Sequence, residues 1–267
     1  VRQSGGAWRV ERAVDSLRER EGARHMQVSG NKILITGGAT GIGFGLAERF
    51  VREGNTVLVC GRRTSALEEA RRRLPAIVTY SSDVSTSEGR TALFHWVTSE
   101  HADTNVLVNN AGIQNWIAPT DEDFFARARE EIAVNIEAPL HLTQLFLRHS
   151  RLQTLVNVTS GLAFVPLTKV PVYSATKAFL HSFTLALREL AKERNVEVVE
   201  LIPPALNTDL GGKGLHDHAP PVSGFVDAVF EQLRAGKTTV TYGFSESLSH
   251  AGEDVLGPVF ARMNQRG

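Results

Sequence analysis

Tyr173 and Lys177 stand four residues apart in a stretch whose apolar members (Ala178, Phe179, Phe183, Ala186, Leu187, Leu190) recur at helical spacing. The two polar side chains therefore share one helix face. A phenol ordinarily loses its proton near pKa 10, and bringing that to about 7 takes ~4 kcal/mol of preferential stabilisation of the phenolate. A neighbouring ammonium in a water-poor cleft supplies charge of the right sign. The tyrosine then becomes a usable acid or base at neutral pH. With three tyrosines and six lysines in the chain, one such pair arises by accident at about the 7% level, so the spacing needs company.

That company comes from two places. Ser160 lies thirteen residues before Tyr173, at the carboxyl end of a predicted strand, the edge at which doubly wound sheets bind ligands. Its hydroxyl, or that of Thr159, can donate to a substrate carbonyl and stabilise a developing alkoxide. Far upstream, the apolar run Ile33-Leu34-Ile35 leads into Thr36-Gly37-Gly38-Ala39-Thr40-Gly41-Ile42-Gly43, after which an amphipathic helix begins. Small residues allow the sharp turn and a close approach of backbone to a pyrophosphate, while the helix N-terminus offers unpaired N–H groups to it. A glycine pattern following the first strand and opening the first helix reads as a dinucleotide site.

The spacing Gly-x-x-x-Gly-x-Gly, carried by TGGATGIG, resembles the signature of classical short-chain dehydrogenases/reductases. Further matches follow in that family's order: Asp83 with Val84 after the third strand, then Asn109-Asn110-Ala111-Gly112, Asn135, Ser160, Tyr173-Ser174-Ala175-Thr176-Lys177, and Pro203 through Thr208. The resemblance spans residues 26–245 and selects Ser160 over Thr159. It implies that Ser160 orients the substrate, Tyr173 transfers the proton, and Lys177 binds a cofactor ribose and tunes Tyr173. It further implies that Asn135 holds a water linking Lys177 to solvent, and that the cofactor meets Gly37, Thr40, Gly41, Ile42, Gly43, Asp83, Val84, Asn110, Ala111, Gly112, Pro203 and Thr208. The run Val158–Val165 (VTSGLAFV) is also similar to oxidoreductases that accompany lipoteichoic-acid D-alanylation operons, a match that says little about substrate.

In the Rossmann arrangement an acid ending the second strand favours NAD over NADP. The corresponding position here is Gly61, followed by Arg62 and Arg63. A guanidinium can grip a 2′-phosphate through a charge-assisted fork, so NADP(H) is the expected cofactor. Pocket walls are expected from 113–117, 162–165 and 206–221. Trp116, Leu162, Phe164 and Leu215 make them apolar and point to a small hydrophobic carbonyl or alcohol, with reduction the expected direction. A cofactor-sensing protein without turnover, an imine reductase and an epimerase on the same fold are the alternatives. Only about sixty residues follow Thr208, little for an epimerase's substrate domain. His216-Asp217-His218 shows no third ligand, and no metal is expected. Cys60 reads as either an alkylation-sensitive thiol or a buried small residue.

The elements that must position these groups alternate without exception. Strand-like runs fall at 32–36, 56–60, 76–80, 105–109, 154–159, 196–201 and 238–241, with helical periods at 42–53, 65–74, 87–100, 121–149, 172–194 and 222–235. Strand–helix alternation with apolar strands points to βαβ units and one doubly wound parallel α/β sheet of about seven strands, and the resemblance implies a Rossmann fold with the order 3-2-1-4-5-6-7. Pro139 should kink or unwind the fourth helical stretch. Gly211 through Pro221 reads as a mobile loop.

Residues 1–25 have a different texture, charged with a short amphipathic period, and are expected to be an extended leader or an expression-derived addition; 26–267 are expected to form a single domain. Hydrophobic residues at 42% and charged residues at 22% suit a cored soluble protein. Equal totals of 29 basic and 29 acidic residues give no global attraction to nucleic acid or a membrane surface. One cysteine precludes an intramolecular disulfide and suits the cytoplasm. A homodimer or homotetramer through 121–149 and 172–194 is expected from the resemblance.

Overall fold

The computed structural model of the chain describes residues 25–265. Apart from His25, the expectation for the leader lies outside the described residues. Seven parallel strands form one sheet: β1 (Lys32–Thr36), β2 (Thr56–Gly61), β3 (Val78–Ser81), β4 (Val106–Asn109), β5 (Thr154–Val158), β6 (Glu197–Ile202) and β7 (Thr239–Thr241). Their spatial order is β3-β2-β1-β4-β5-β6-β7, as expected. Alternate β1 residues feed opposite layers. Ile33 and Ile35 pack with Phe44, Phe50, Phe225 and Phe230 from α1 (Gly41–Arg52) and α7 (Val222–Arg234). Leu34 faces Leu93, Leu142, Phe146 and Leu187 from α3 (Ser87–Glu100), α5 (Ala138–Phe146) and α6 (Pro171–Lys192). Each such side chain contributes roughly 1.5–3 kcal/mol on burial. That double cover is why the central strands carry no polar alternation.

β3 departs from the expected pattern. It starts two residues later than the apolar run and is half exposed, because it closes one edge of the sheet and has a neighbour on one side only. α2 (Thr64–Arg73) leads into it. Cys60 lies in β2 with no exposed surface, and burial pushes its thiol up to about 12. The alkylation-sensitive reading therefore falls and the buried one stands.

The stretch expected as one kinked helix over 121–149 is α4 (Phe124–Ile132), a π-helical turn over Ala133–Glu137, then α5. Pro139 has no N–H to give the carbonyl four residues back. The chain widens just before it, and the Ala138 N–H bonds the Ala133 carbonyl in a five-residue step. Such a π-turn inside a helix often marks a functional position, and Asn135 sits at its centre.

Two C-terminal helices had no clear period in the sequence: α8 (Phe244–Ser249) and α9 (Glu253–Met263), the latter with Pro258 inside it. They bury Leu248 and Val259 against Val165 and Phe164. Asn264 then ties the tail back, its Nδ2 donating to the Pro166 carbonyl at 3.0 Å while its Oδ1 accepts from the Thr168 N–H at 2.6 Å. The segment after Ser160 is thus braced from the far end of the chain. No helix among the described residues is long and apolar enough to cross a membrane.

Candidate active site

The carboxyl ends of β1, β4 and β5 bring the anticipated residues to one edge of the sheet. At the first turn Gly37 and Gly41 have φ of 63° and 55°, conformations that favour glycine. A Cβ on Gly43 would strike the Asn110 side-chain nitrogen and the Gly37 carbonyl oxygen. Asn110 in turn donates to the Thr36 and Gly37 carbonyls at 2.9 and 3.1 Å. Thr36 Oγ1 accepts from the Asn110 and Ala111 N–H groups at 3.1 and 3.0 Å. The two loops are therefore locked together. Helix α1 opens at Thr40 without a side-chain cap and without an acid in its first turn. Those free N–H groups, with the positive end of the helix dipole, fit a pyrophosphate. Thr208 lies beside Gly41, its Cγ2 at 3.4 Å from where a Cβ would be.

At the end of β2, Gly61 passes its carbonyl to the Ser82 N–H at 3.0 Å, which sets Asp83 beside the arginines. Arg62 and Arg63 are both exposed. Burial acts to raise Asp83, but hydrogen bonds from Ser85 and the charge of Arg62 hold it below the usual carboxylate range. Val84 is buried, and its carbonyl accepts from Arg90 at 2.8 Å.

The polar centre gathers on α6. Tyr173, Ser160 and Lys177 are all buried, at 6%, 7% and 4% exposure. Burial pushes the Tyr173 phenol well above its ordinary value, the Ser160 hydroxyl beside it pulls down, and the Glu131 carboxylate pushes it further up. The Lys177 ammonium lies 5.6 Å from the Tyr173 ring centre and donates to the Val158 carbonyl at 2.8 Å. Burial depresses it to about 8. The ammonium is held by β5 and is itself stripped of water. Ser160 caps the short 3-10 turn Gly161–Ala163, accepting from the Leu162 N–H at 3.1 Å. The Pro203 carbonyl accepts from the Gly161 N–H at 3.0 Å, which anchors that turn to the end of β6.

Asn135 does not face solvent. Its side chain exchanges two bonds of 2.9 Å with the backbone of Ile113 and donates to Thr176 Oγ1 at 3.1 Å. A Cβ on Gly112 would lie 3.5 Å from Asn135 Oδ1 and 3.7 Å from Lys177 Nζ. That glycine separates the two groups, and its small size keeps the space between them open.

Of the anticipated pocket residues, Trp116 and Leu215 are 38% and 39% exposed. Trp116 is approached by Lys169 Nζ at 5.8 Å from its ring centre. Loop 206–221 folds toward the same wall: a Cβ on Gly211 would come within 3.1 Å of the Trp116 indole nitrogen. Leu162 is half-buried in the turn after Ser160. Phe164 instead packs edge-on to His181 at 4.7 Å and joins the C-terminal cluster. Two polar residues have no individual role assigned from the sequence: Gln114, inside the expected wall 113–117, and Glu131, which lies outside every expected site. Gln114 and Glu131 are 8% and 0% exposed, and Gln114 Oε1 and Glu131 Oε2 have no hydrogen-bond partner. The available signal was spacing, since Glu131 precedes Asn135 by four residues.

A family model described as short chain dehydrogenase matches residues 31–218. The chain belongs to the short-chain dehydrogenase family and is an oxidoreductase of it. It is 41% identical over 249 residues to the uncharacterised oxidoreductase DltE of Bacillus subtilis (strain 168), covering 90% of this chain and 98% of that one. Among solved structures, a short chain dehydrogenase from Burkholderia cenocepacia J2315 in complex with NADP superposes with a TM-score of 0.76 at 24% identity, over 90% of this chain and 100% of that one. A Burkholderia phymatum relative in complex with NAD gives 0.71 at 17% identity, over 81% and 90%.

Proposed function

We propose that the protein is an NADP(H)-dependent reductase of a carbonyl compound. The observation that carries this is the convergence of buried Ser160, Tyr173 and Lys177 at the sheet edge that also holds an uncapped helix N-terminus. A nicotinamide dinucleotide bound along Gly37, Thr40, Gly41, Ile42, Gly43, Asn110, Ala111 and Gly112 supplies the hydride. The remaining steps belong to the chain. Ser160 holds the substrate oxygen and shields its developing charge. Tyr173 gives that oxygen its proton. Lys177 holds cofactor and supports the phenolate, and Asn135 fixes the wall that faces it. Trp116, Leu162 and Leu215 supply the apolar part of the pocket.

The choice of NADP rests on Gly61, Arg62 and Arg63. There is no carboxylate at the selector position to repel a 2′-phosphate, and Arg62 is exposed and close enough to bias Asp83. Initial rates of cofactor oxidation with a panel of apolar ketones and aldehydes test the reading. NADPH is expected to support turnover, and Arg62→Ala to raise the KM for NADPH by about 10-fold or more while barely moving that for NADH. A wild-type preference for NADH, or equal losses with both cofactors, contradicts the assignment.

The reading includes self-association and residence in the cytoplasm. Phe125 and Ile132 on α4 and Phe179 and Leu190 on α6 are exposed by 72%, 38%, 41% and 68%. Apolar surface on two neighbouring helices favours burial against a second copy. Light scattering at micromolar concentration is expected to give a dimer or tetramer mass, and a monomer contradicts it.

A further inference from the structure

Glu131 and Asn135 lie one helical turn apart and grip alternate amides of the same loop: Asn135 Oδ1 accepts from the Ile113 N–H, and Glu131 Oε1 from the Asn115 N–H. Both α4 and α6 follow parallel strands of one sheet and so run in the same direction. Asn135 bonds Thr176 on α6. A step of one turn back along each helix places Glu131 opposite Tyr173, in keeping with the opposition of its carboxylate to ionisation of that phenol. The residue has no exposed surface, and its second oxygen has no partner. The charged and titratable groups that act on it or feel its charge are Arg127 on its own helix and Tyr173 on α6. Arg127 pairs with Asp123 at 3.7 Å. Loop 113–117 brings no charged side chain, but it does bring Gln114, whose Oε1 is likewise buried and unpartnered.

A buried carboxylate oxygen without a donor is costly. A buried acceptor lacking a donor beside Tyr173, with a second unpartnered acceptor at Gln114 on the loop that Glu131 grips, describes a complement to a donor that arrives from outside. A neutral hydroxyl would fill a lone pair and leave the charge buried, whereas an ammonium satisfies both. We propose that Glu131 Oε2 receives an ammonium group of the substrate, close to the reacting carbonyl, so that the substrate class is amino ketones and their amino alcohols. This rests on the carbonyl-reduction reading and refines its apolar pocket: the rim at Trp116 and Leu215 is apolar, the floor beside Tyr173 is anionic.

The test compares 1-aminopropan-2-one with its near-isostere butan-2-one under saturating NADPH. Wild type is expected to favour the amino ketone in kcat/KM by about 30-fold, and Glu131→Gln to erase that ratio with butan-2-one changed by less than about 3-fold. The ratio should also shrink in wild type alone between about pH 7.5 and about pH 5.5, since burial holds the carboxyl near about 7 and protonation removes its charge. As a measurement independent of turnover, n-propylammonium should raise the Tm of the NADP-loaded wild type above matched propan-1-ol and potassium chloride controls, and should not do so for Glu131→Gln. A wild type indifferent to the amino group overturns the proposal. A loss in Glu131→Gln shared equally by both ketones also does so, because a mere brace for Asn115 predicts that. If neither ketone is reduced while propylammonium still protects only wild type, the subsite stands and the reductase reading falls.

Discussion

Tyr173→Phe is expected to lower kcat by ~10³-fold, within the range for losing a positioned general acid, while the cofactor Kd changes by less than about 2-fold. In the proposed reading the phenol oxygen reaches a substrate oxygen beside Ser160, and the pyrophosphate is assigned to other elements, at the start of α1. Removal of one oxygen leaves the ring's packing intact, so the fold should hold. The site's resting state sharpens the expectation. Burial keeps this phenol protonated, and Ser160 is the group pulling the other way. A tyrosine of that kind is ready to donate, which suits reduction, and its deprotonation in the oxidative direction should require alkaline pH. Stopped cofactor oxidation in Tyr173→Phe, with cofactor fluorescence titrating normally, is the expected pair of results. Retention of more than about a tenth of the activity removes the proton-transfer role.

The sequence made the parallel sheet legible because the central strands are apolar on both faces and helical periods separate successive strands, while the strand order came with the family resemblance. It also showed the Gly37–Gly43 turn, Tyr173 and Lys177 through local spacing, and Ser160 once the family resemblance chose it over Thr159. Other features depend on tertiary contact. Pro139 announced a distortion, but the π-turn and the inward aim of Asn135 follow from Ile113 and Thr176, which are distant in the chain. Glu131 reads in sequence as one more acid in Arg127–Glu131, and only its contact with the Asn115 amide turns it inward. Phe164 reads as a pocket residue until α8 and α9 cover it. Those two helices are short, and Gly257 and Pro258 weaken the helical pattern of the second. Nothing in a Tyr-x-x-x-Lys spacing reveals that a carbonyl of β5 competes for the Lys177 ammonium.

That competition makes Lys177 a residue whose roles in folding and turnover oppose one another. Its side chain is buried and its pKa falls from an ordinary 10.5 to about 8. The unfolded chain binds the proton more tightly than the folded one. Stability should therefore rise with pH between about 8 and about 10.5 and be lowest, as far as this group is concerned, below that window. At neutral pH the penalty amounts to about 3 kcal/mol, at roughly 1.4 kcal/mol for each pKa unit. Lys177→Met keeps most of the volume and removes the buried charge. It leaves the Val158 carbonyl without its donor, which returns roughly 1–3 kcal/mol. The net expectation is a Tm at pH 7 equal to or a few degrees above wild type, together with the loss of the gain in stability between pH 8 and 10.5. Turnover should fall by ~10³-fold or more, and cofactor affinity by about 10-fold, because the ammonium is assigned both the cofactor and the phenolate. A scanning-calorimetry series across that window, paired with cofactor titration, separates these effects. A Lys177→Met protein much less stable than wild type at pH 7 would show that the bond to Val158 outweighs the buried charge, and the lysine would then be a structural strut as much as a participant in the reaction.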